Sequence, residues 1–588
     1  MDNSLSRISK VSQQLSDARR MSFNNNNDEV KDPVDRLTLS KDEPKPPEEL
    51  PKKIKFNYFP QDPLIDSPIG DEIEQDKIGR DLKGPRTAGK DSTYHIAIPD
   101  LEGNFIFTPD KPGFDQVNSF VVSQRTLEMH EKSIGHQINW AFDSKILDVN
   151  SHAGEGANAY YMRWSESINF LFFKSKGLDK TVQTSQSADI VAHETGHAVL
   201  DGLRPKLLSS WNSENRAFHE AFSDCSSMLY TLQSDVNLEG IAKETSGDLT
   251  KWNRLPMMAE EFGKALRLKN DDPGDDHKTY LRNAINDFKY VKPSDLPSGG
   301  GEDQLTSEPH NFSRVFTGAF YDFIKAVYER KLAELPHLPP ENPENPDDTG
   351  KPDVVGALKA TRDIAGQVLL KAVDISPASD ASYKTIAKCM IKADEILNNG
   401  ANRYDLVNVF VSRNILKPED IQNDRELPDV SFKGWGLSRD SLLDFLKANE
   451  NKLGLKASDF TEAVAVKDTY GNTILQYVAG KEIPLNSYGV KEAAGINKDL
   501  FMDVYSSATL AFDSNGKLVS RMVYEVNQDT IWEAIHLIKD LEKKGLIRRQ
   551  PINKLENIFK SSGIPYEAEV YQMPDGRFKV QRIPIVVD

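Results

Sequence analysis

A chain of 588 residues has room for two to four domains, and 38% hydrophobic with 28% charged residues describes a soluble globular protein diluted by some disordered sequence. The formal charge of −17 speaks against general nucleic-acid binding and against anionic membrane surfaces. No apolar run approaches the ~20 residues that span a bilayer, so no transmembrane segment is expected.

Residues 1–85 read as a disordered leader, because "FNNNNDEVKDPVDRL" and "KDEPKPPEELPKK" are polar and proline-rich and bury little apolar surface. The first residues carry no apolar segment of a secretory signal. Only Cys225 and Cys389 occur, which excludes a disulfide framework and fits a reducing compartment. The expected location is the cytoplasm, or outside the cell by a route that needs no N-terminal signal peptide.

From about Ser92, "STYHIAIPD" and "GNFIFTPD" predict short strands, "VNSFVVSQRTLEMHEKSI" a helix, and "NAYYMRWSESINFLFF" two strands around a polar turn. Helical patterns then dominate to about Leu416, interrupted by the proline-rich acidic stretch "LPHLPPENPENPDDTGKPD". Beyond it, "GNTILQYVAGKEIPL", "ATLAFDSNGKLVSRMVYEV" and "AEVYQMPDGRFKVQRIPIVV" are strand-rich, with Asn-Gly and Asp-Gly hairpin turns, and "TIWEAIHLIKDLEKKGL" is an amphipathic helix between them. The expected organisation is α+β: an N-terminal mixed α/β lobe over 86–240 and a helical lobe over 241–420, followed by a separate α+β module over 421–588.

The chemistry gathers in "SADIVAHETGHAVLDGL". A serine at position 185 or 187 can cap a helix, Asp189 sits in its first turn, and Gly202 with Pro205 closes the pattern. On that helix His193 and His197 project from one face, able to share one tetrahedral metal, while Glu194 is rotated toward a metal-bound water. A catalytic zinc needs a third protein ligand. "NSENRAFHEAFSDCSSMLYTL" offers Glu220, a carboxylate breaking an apolar helical stripe, which is costly unless paired or metal-bound. Asp224 lies one turn on, placed to accept the second N–H of a ligand histidine.

"DIVAHETGHAVLDGL" followed by "HEAFSD" resembles the thermolysin-like family of gluzincin metallopeptidases, and further landmarks come in order over roughly residues 90–420. "NAYYM" resembles the family's edge strand, implying that Asn158 and Ala159 pair with substrate backbone. "LRNAINDFKYVKP" implies a substrate-binding arginine in Arg282, with Leu281 and Ile190 in the S1′ wall. "EPHNFSRVFTGAFY" implies that His310 stabilises the oxyanion. The resemblance implies a two-lobed fold, a mixed α/β lobe beside a helical one. It also implies one catalytic Zn²⁺ on His193, His197 and Glu220, Glu194 as general base, and a peptide or protein substrate with a hydrophobic P1′ residue.

The pattern departs in places. Between His197 and Glu220 there is no tyrosine to act as second oxyanion donor; the ungapped position is Leu208, and Trp211 is the remaining N–H donor. The acid that orients the oxyanion histidine falls on Leu305, with Asp303 or Glu308 as replacements only if the loop is rebuilt. His219 stands where the family often has Asn. Asp189 fits one calcium position, but Thr231 and others replace the acidic residues expected after the second helix, so structural Ca²⁺ is not supported. The C-terminal strands faintly resemble propeptide strands, which leaves regulation within the chain open as their role beside that of a plain accessory domain. Two rivals stand: a gluzincin aminopeptidase, for which no "GxMEN"-type strand is present, and a zinc-binding but weak or inactive interaction or chaperone-like protein.

Overall fold

A computed structural model describes residues 53–93, 96–269, 279–301, 303–340, 350–421, 427–434, 436–549, 566–583 and 585–587. Strands β1 (Lys53–Tyr58) and β2 (Ile69–Glu74) form an antiparallel hairpin. The alternation in "KIKFNY" buries Ile54, Phe56 and Tyr58, and Ile73, Ile78 and Leu82 follow them into the main core. Residues 53–85 therefore belong to the folded body, which corrects the leader expected through residue 85. The rest of that leader, residues 1–52, lies outside the described residues. Three alternating apolar residues among lysines are a weak signal alone; they become core because the first long helix covers them, with Arg125 stacked 5.1 and 4.8 Å from the Phe56 and Tyr58 rings.

The strands expected in 92–110 do not form among the described residues, apart from one bridge between Phe56 and Phe105. Side chains take up the backbone groups that a ladder would use. Ala97 donates its N–H to Gln116 at 2.7 Å, Asn104 donates to Asp100 at 2.8 Å, and only Phe105 reaches another main chain, at Lys55. Tyr94 and His95 lie outside the described residues.

The first helix, α1 (Pro112–Ile134), is buried on nearly every face, as a central helix must be. It packs under a sheet ordered β17-β5-β6-β4-β3, with β7 (Lys180–Gln183) pairing the far end of β6. Here β3 is Thr87–Lys90, β4 Leu147–Glu155, β5 Ala159–Met162, β6 Ser167–Ser175 and β17 Ile585–Val587. The expected strand pair around a polar turn is β5 and β6, antiparallel, with Glu166 in the left-handed region between them. Helices follow: α2 (Ala188–Leu203), α3 (Ser213–Thr231), α4 (Pro309–Glu334), α5 (Val354–Ile375) and α6 (Tyr383–Asn398). Much of the proline-rich stretch before α5, 341–349, lies outside the described residues.

The C-terminal region has its own sheet, in spatial order β10 (Glu462–Lys467), β11 (Thr473–Pro484), β12 (Leu500–Phe512), β16 (Phe578–Arg582), β15 (Ala568–Gln572) and β14 (Ile547–Arg549), with β13 (Leu518–Tyr524) on β12 and helix α7 (Gln528–Lys543) against it. The Asn515-Gly516 and Asp575-Gly576 turns place each glycine at positive φ, as their hairpins require. Two hydrophobic clusters belong to this region, while Ile474 and Ala511 join the main core. The chain is thus α+β. No helix among the described residues is long and apolar enough to cross a membrane.

One buried ion group joins the two regions. Lys371 on α5 donates to Asp374 at 2.8 Å and to Asp468 at 2.7 Å, all three almost fully buried. Burial alone would raise the Asp374 carboxyl, but Lys371 and His136 outweigh it and hold it well below the usual range. Removing the ammonium would strand two buried carboxylates. Lys371→Met is expected to cost about 3–5 kcal/mol of stability, measured by chemical denaturation. A loss below about 1 kcal/mol would show that the triad does not hold the regions together.

Candidate metal centre

α2 follows Ser187, which takes the cap position without a side-chain cap hydrogen bond; Asp189 lies in its first turn, and it continues through Gly202 to Leu203. Gly202 does not end the helix: a Cβ there would lie 2.2 Å from the Asn139 carbonyl oxygen, so glycine is needed for close approach. Gly196, inside the "HETGH" run, serves in the same way. A Cβ at 196 would sit 2.8 Å from Ser226 Oγ and 3.0 Å from Ser223 Cα, so its absence lets α3 lie tight against α2. Asn212 caps α3 by accepting the Glu214 N–H at 2.8 Å.

This packing brings together the residues singled out from their spacing. His193 and His197 approach each other through their Nε2 atoms at 3.0 Å, and Glu220 Oε2 lies 3.6 and 3.9 Å from them. A tetrahedral ion with N and O ligands at ~2.0–2.2 Å separates them by roughly 3.3–3.5 Å. The three distances straddle that value, and all three groups are buried, so this donor set could hold a metal ion. Asp224 Oδ1 stands 3.0 Å from His193 Nδ1, the side of the ring away from Glu220. Thr317 on α4 steadies Asp224 from the other side at 3.3 Å. Glu194 is fully buried beside this group.

The residues implied by the resemblance surround the same point. Asn158, Ala159, Ile190, Leu281, Arg282 and His310 all line one cavity of about 300 Å³ with His193 and Asp224. Arg282, in a two-residue strand paired with Met257–Met258, lies 3.4 Å from Glu220 Oε2 and from His193 Nε2, and 3.5 Å from Asp224 Oδ1. It is tied into the cluster, not aimed freely into the cleft. Phe262, Leu266 and Met258 also line the cavity, a contribution the sequence reading missed; the segment "MMAEEFGKALRL" carried no chemical signal beyond amphipathicity. On the strand side, Tyr161 of β5 donates to Asp201 of α2 at 2.7 Å, and Arg163 Nε donates to the same carboxylate at 2.8 Å. That link sets the distance between β5 and the histidines.

The departures resolve one by one. Glu308 is the acid beside His310: its Oε1 lies 2.6 Å from His310 Nδ1, while its Oε2 accepts the Asn311 N–H at 2.9 Å and caps α4. Burial would raise this carboxyl, but the His310 bond and charge and two backbone N–H groups outweigh it and hold it at about 2. His310 Nε2 points to Glu220 Oε2 at 3.4 Å. Trp211 is not a substitute oxyanion donor. It is buried in a C-terminal core cluster under Arg582 and lines a different cavity. His219 holds His197 by stacking instead of by a hydrogen bond, the rings 5.7 Å apart and 27° from parallel; burial pushes its pKa down to about 3, which keeps it neutral.

A second convergence of carboxylates sits at the start of α2. Asp62, Asp189 and Glu260 bring oxygens within 4.8 Å of one another, all buried, a spacing that could also hold a metal ion. The sequence reading found Asp189 alone here and gave no support for calcium; Asp62 and Glu260 come from distant parts of the chain. Asp62 accepts from the Leu64 and Glu261 N–H groups at 2.9 and 3.0 Å, and Asp189 accepts from Thr231 at 3.4 Å. Neither Glu260 oxygen finds a hydrogen-bond partner among the described residues.

A scan against protein-family models finds no match for this chain, and a search of curated proteins finds none either.

Burial, then the neighbouring negative charges, raises Asp62 to about 6 and lifts Asp189 and Glu260 well above the usual range. The folded state therefore holds protons that the unfolded chain releases. The Asp62 contribution is fully present below about pH 4 and is lost as the pH rises through about 6, while the more strongly raised Asp189 and Glu260 hold their protons to higher pH. With a chelator present, the thermal midpoint of the wild type should fall more steeply over that range than that of Asp62→Asn. Parallel curves would remove the cluster as the cause.

Proposed function

We propose that the chain is a zinc endopeptidase of the thermolysin-like kind. In this reading the sheet β3–β7 with α1 forms one lobe, α4–α6 form the other, and the site lies between them. The observation that carries it is the meeting of His193, His197 and Glu220 within bridging distance, with Asp224 behind His193 and Glu194 alongside. A zinc ion held by these three ligands would polarise the scissile carbonyl and lower the pKa of a water molecule.

The chain's own residues supply the rest. Glu194 accepts a proton from the attacking water and passes it to the leaving amine, general base then general acid. Its burial removes competing solvent from the carboxylate. Glu308 fixes the His310 ring through Nδ1, so Nε2 faces the cluster and, when protonated, donates to the oxygen that gains charge. Arg282 neutralises part of the Glu220 and Asp224 charge and, from the rim of the cavity, helps position the peptide through a substrate carbonyl. Asn158 and Ala159 offer main-chain groups to an extended peptide. Ile190, Phe262, Leu266 and Leu281 give the cavity its apolar wall, which suits a hydrophobic P1′ side chain.

A second reading has one observation in its favour. No tyrosine lines the cavity and Trp211 is turned into another core, so one oxyanion donor is missing among the described residues. That fits a zinc-binding protein with weak or no catalysis, serving interaction instead.

Zinc content and peptide cleavage separate the two. Glu194→Ala should keep zinc at wild-type stoichiometry and lose cleavage. His310→Ala should lower kcat by about 10²–10³ with little change in KM. Zinc bound with no cleavage by the wild type, across peptides with varied P1′ residues, would favour the interaction protein.

A further inference from the structure

One strand of the site's sheet is out of sequence place. β17 (Ile585–Val587) follows the hairpin of β15 (Ala568–Gln572) and β16 (Phe578–Arg582), which belongs to the C-terminal sheet. Yet it leaves that sheet and pairs antiparallel with β5, on the edge that β6 leaves open. Ile585 stands opposite Met162, Val586 opposite Tyr161, and Val587 opposite Tyr160. β17 therefore advances toward the Asn158–Ala159 end of β5, which borders the cavity shared by His193, Arg282 and His310.

The approach to this strand is clamped. Ile583 is buried against Tyr160 and Met162. Arg582 donates to Glu567 at 3.0 Å, and Glu567 accepts from Arg216 at 2.7 Å. Arg216 sits on α3, one helical turn before Glu220. Arg582 also stacks 5.8 Å from Trp211, and Arg548 lies 5.4 Å from Trp164 in the turn after β5. The hairpin that launches β17 is thus bolted to the helix that bears Glu220 and to the neighbourhood of β5.

An extended peptide that adds to β5 needs the same row of main-chain N–H and C=O groups. We propose that residues 585–587 are a built-in occupant of the β5 edge that competes with peptide substrates, so that the site opens fully only when this strand is released or removed. The proposal rests on the peptidase reading above. A strand has one free edge there, and β17 and a substrate cannot share it. Tethering raises the local concentration of so short a segment far above that of a free peptide. A substrate lying as β17 does reaches the cavity with residues that come later in its sequence. The competition therefore falls on peptide residues before the scissile bond, and a short ligand seated in the apolar cavity alone is spared.

The test compares the full chain with one lacking residues 584–588, both carrying Glu194→Ala so that binding does not depend on turnover. The probe is a fluorescein-labelled hexapeptide, Ala-Ala-Gly-Leu-Ala-Ala. Shortening the chain is expected to tighten its binding at least tenfold and to leave a blocked Gly-Leu dipeptide amide unchanged. Val586→Pro in the full chain, which removes one ladder N–H without deleting anything, should move affinity in the same direction. Equal hexapeptide affinity for all three chains overturns the proposal, as does an equal gain for the dipeptide. With Glu194 restored, a tenfold affinity difference without cleavage by either chain would reject the catalytic reading and leave the role of the strand standing.

Discussion

Everything at the site depends on how closely α2 and α3 approach each other where Gly196 meets Ser223 and Ser226. Neither helix carries a complete donor set. α2 supplies two imidazoles, α3 supplies one carboxylate, and a displacement of even one methyl group's thickness would separate them. Apolar packing sets the distance: Val191, Ala192, Val199 and Leu200 on one helix and Ala217, Phe218, Ala221 and Phe222 on the other are fully buried. The polar groups ride on that contact. His193, Glu194, His197, Glu220 and Asp224 are held in a dry interior where ionised or unpaired groups are costly. A cluster of this kind is tolerated when its members neutralise one another or share a cation, and Arg282, 3.4 Å from Glu220, supplies part of that neutralisation.

The remaining parts of the site are adjustments around that fixed centre. Glu308 does two things from one position: it caps α4 and it orients His310. This makes the ring's placement a consequence of where the helix starts, so no separate acidic loop is needed. Asp201 does similar service at the other end of α2, where Tyr161 and Arg163 converge on it and fix the sheet edge relative to the histidines. The carboxylates at the start of α2 are stripped of solvent by burial and also repel one another, and their raised protonation is the result.

The C-terminal region is part of this balance. Lys371 buries a charge between it and α5, Arg216 reaches from α3 to Glu567, and β17 extends the sheet beside the site. The region is wedded to α3 through the Arg216–Glu567 ion pair while keeping hydrophobic clusters of its own. Such a mixture holds position without merging the cores, and it places a strand where main-chain groups would otherwise face an open cleft.

Local patterns alone determined a good deal of this protein. The spacing of His193, His197, Glu220 and Asp224 was legible because helical periodicity decides which side chains share a face, and the hairpins were legible because Asn-Gly and Asp-Gly demand one kind of turn. Other features could be decided only by the folded chain. Glu308, not Leu305, lies beside His310 because it caps α4 two positions before the ring. Trp211 turned away because the C-terminal core offered it more burial than the cleft did. "KIKFNY" became core because α1 lay over it, while the described part of "STYHIAIPD" stays outside the sheets, the Ala97 N–H taken by Gln116. Asp62, Glu260 and β17 came from afar. The physical reason is common to them all: periodicity reports which face of an element is apolar, but the partner that covers that face, or pairs with that edge, is chosen by packing between segments that the sequence keeps far apart.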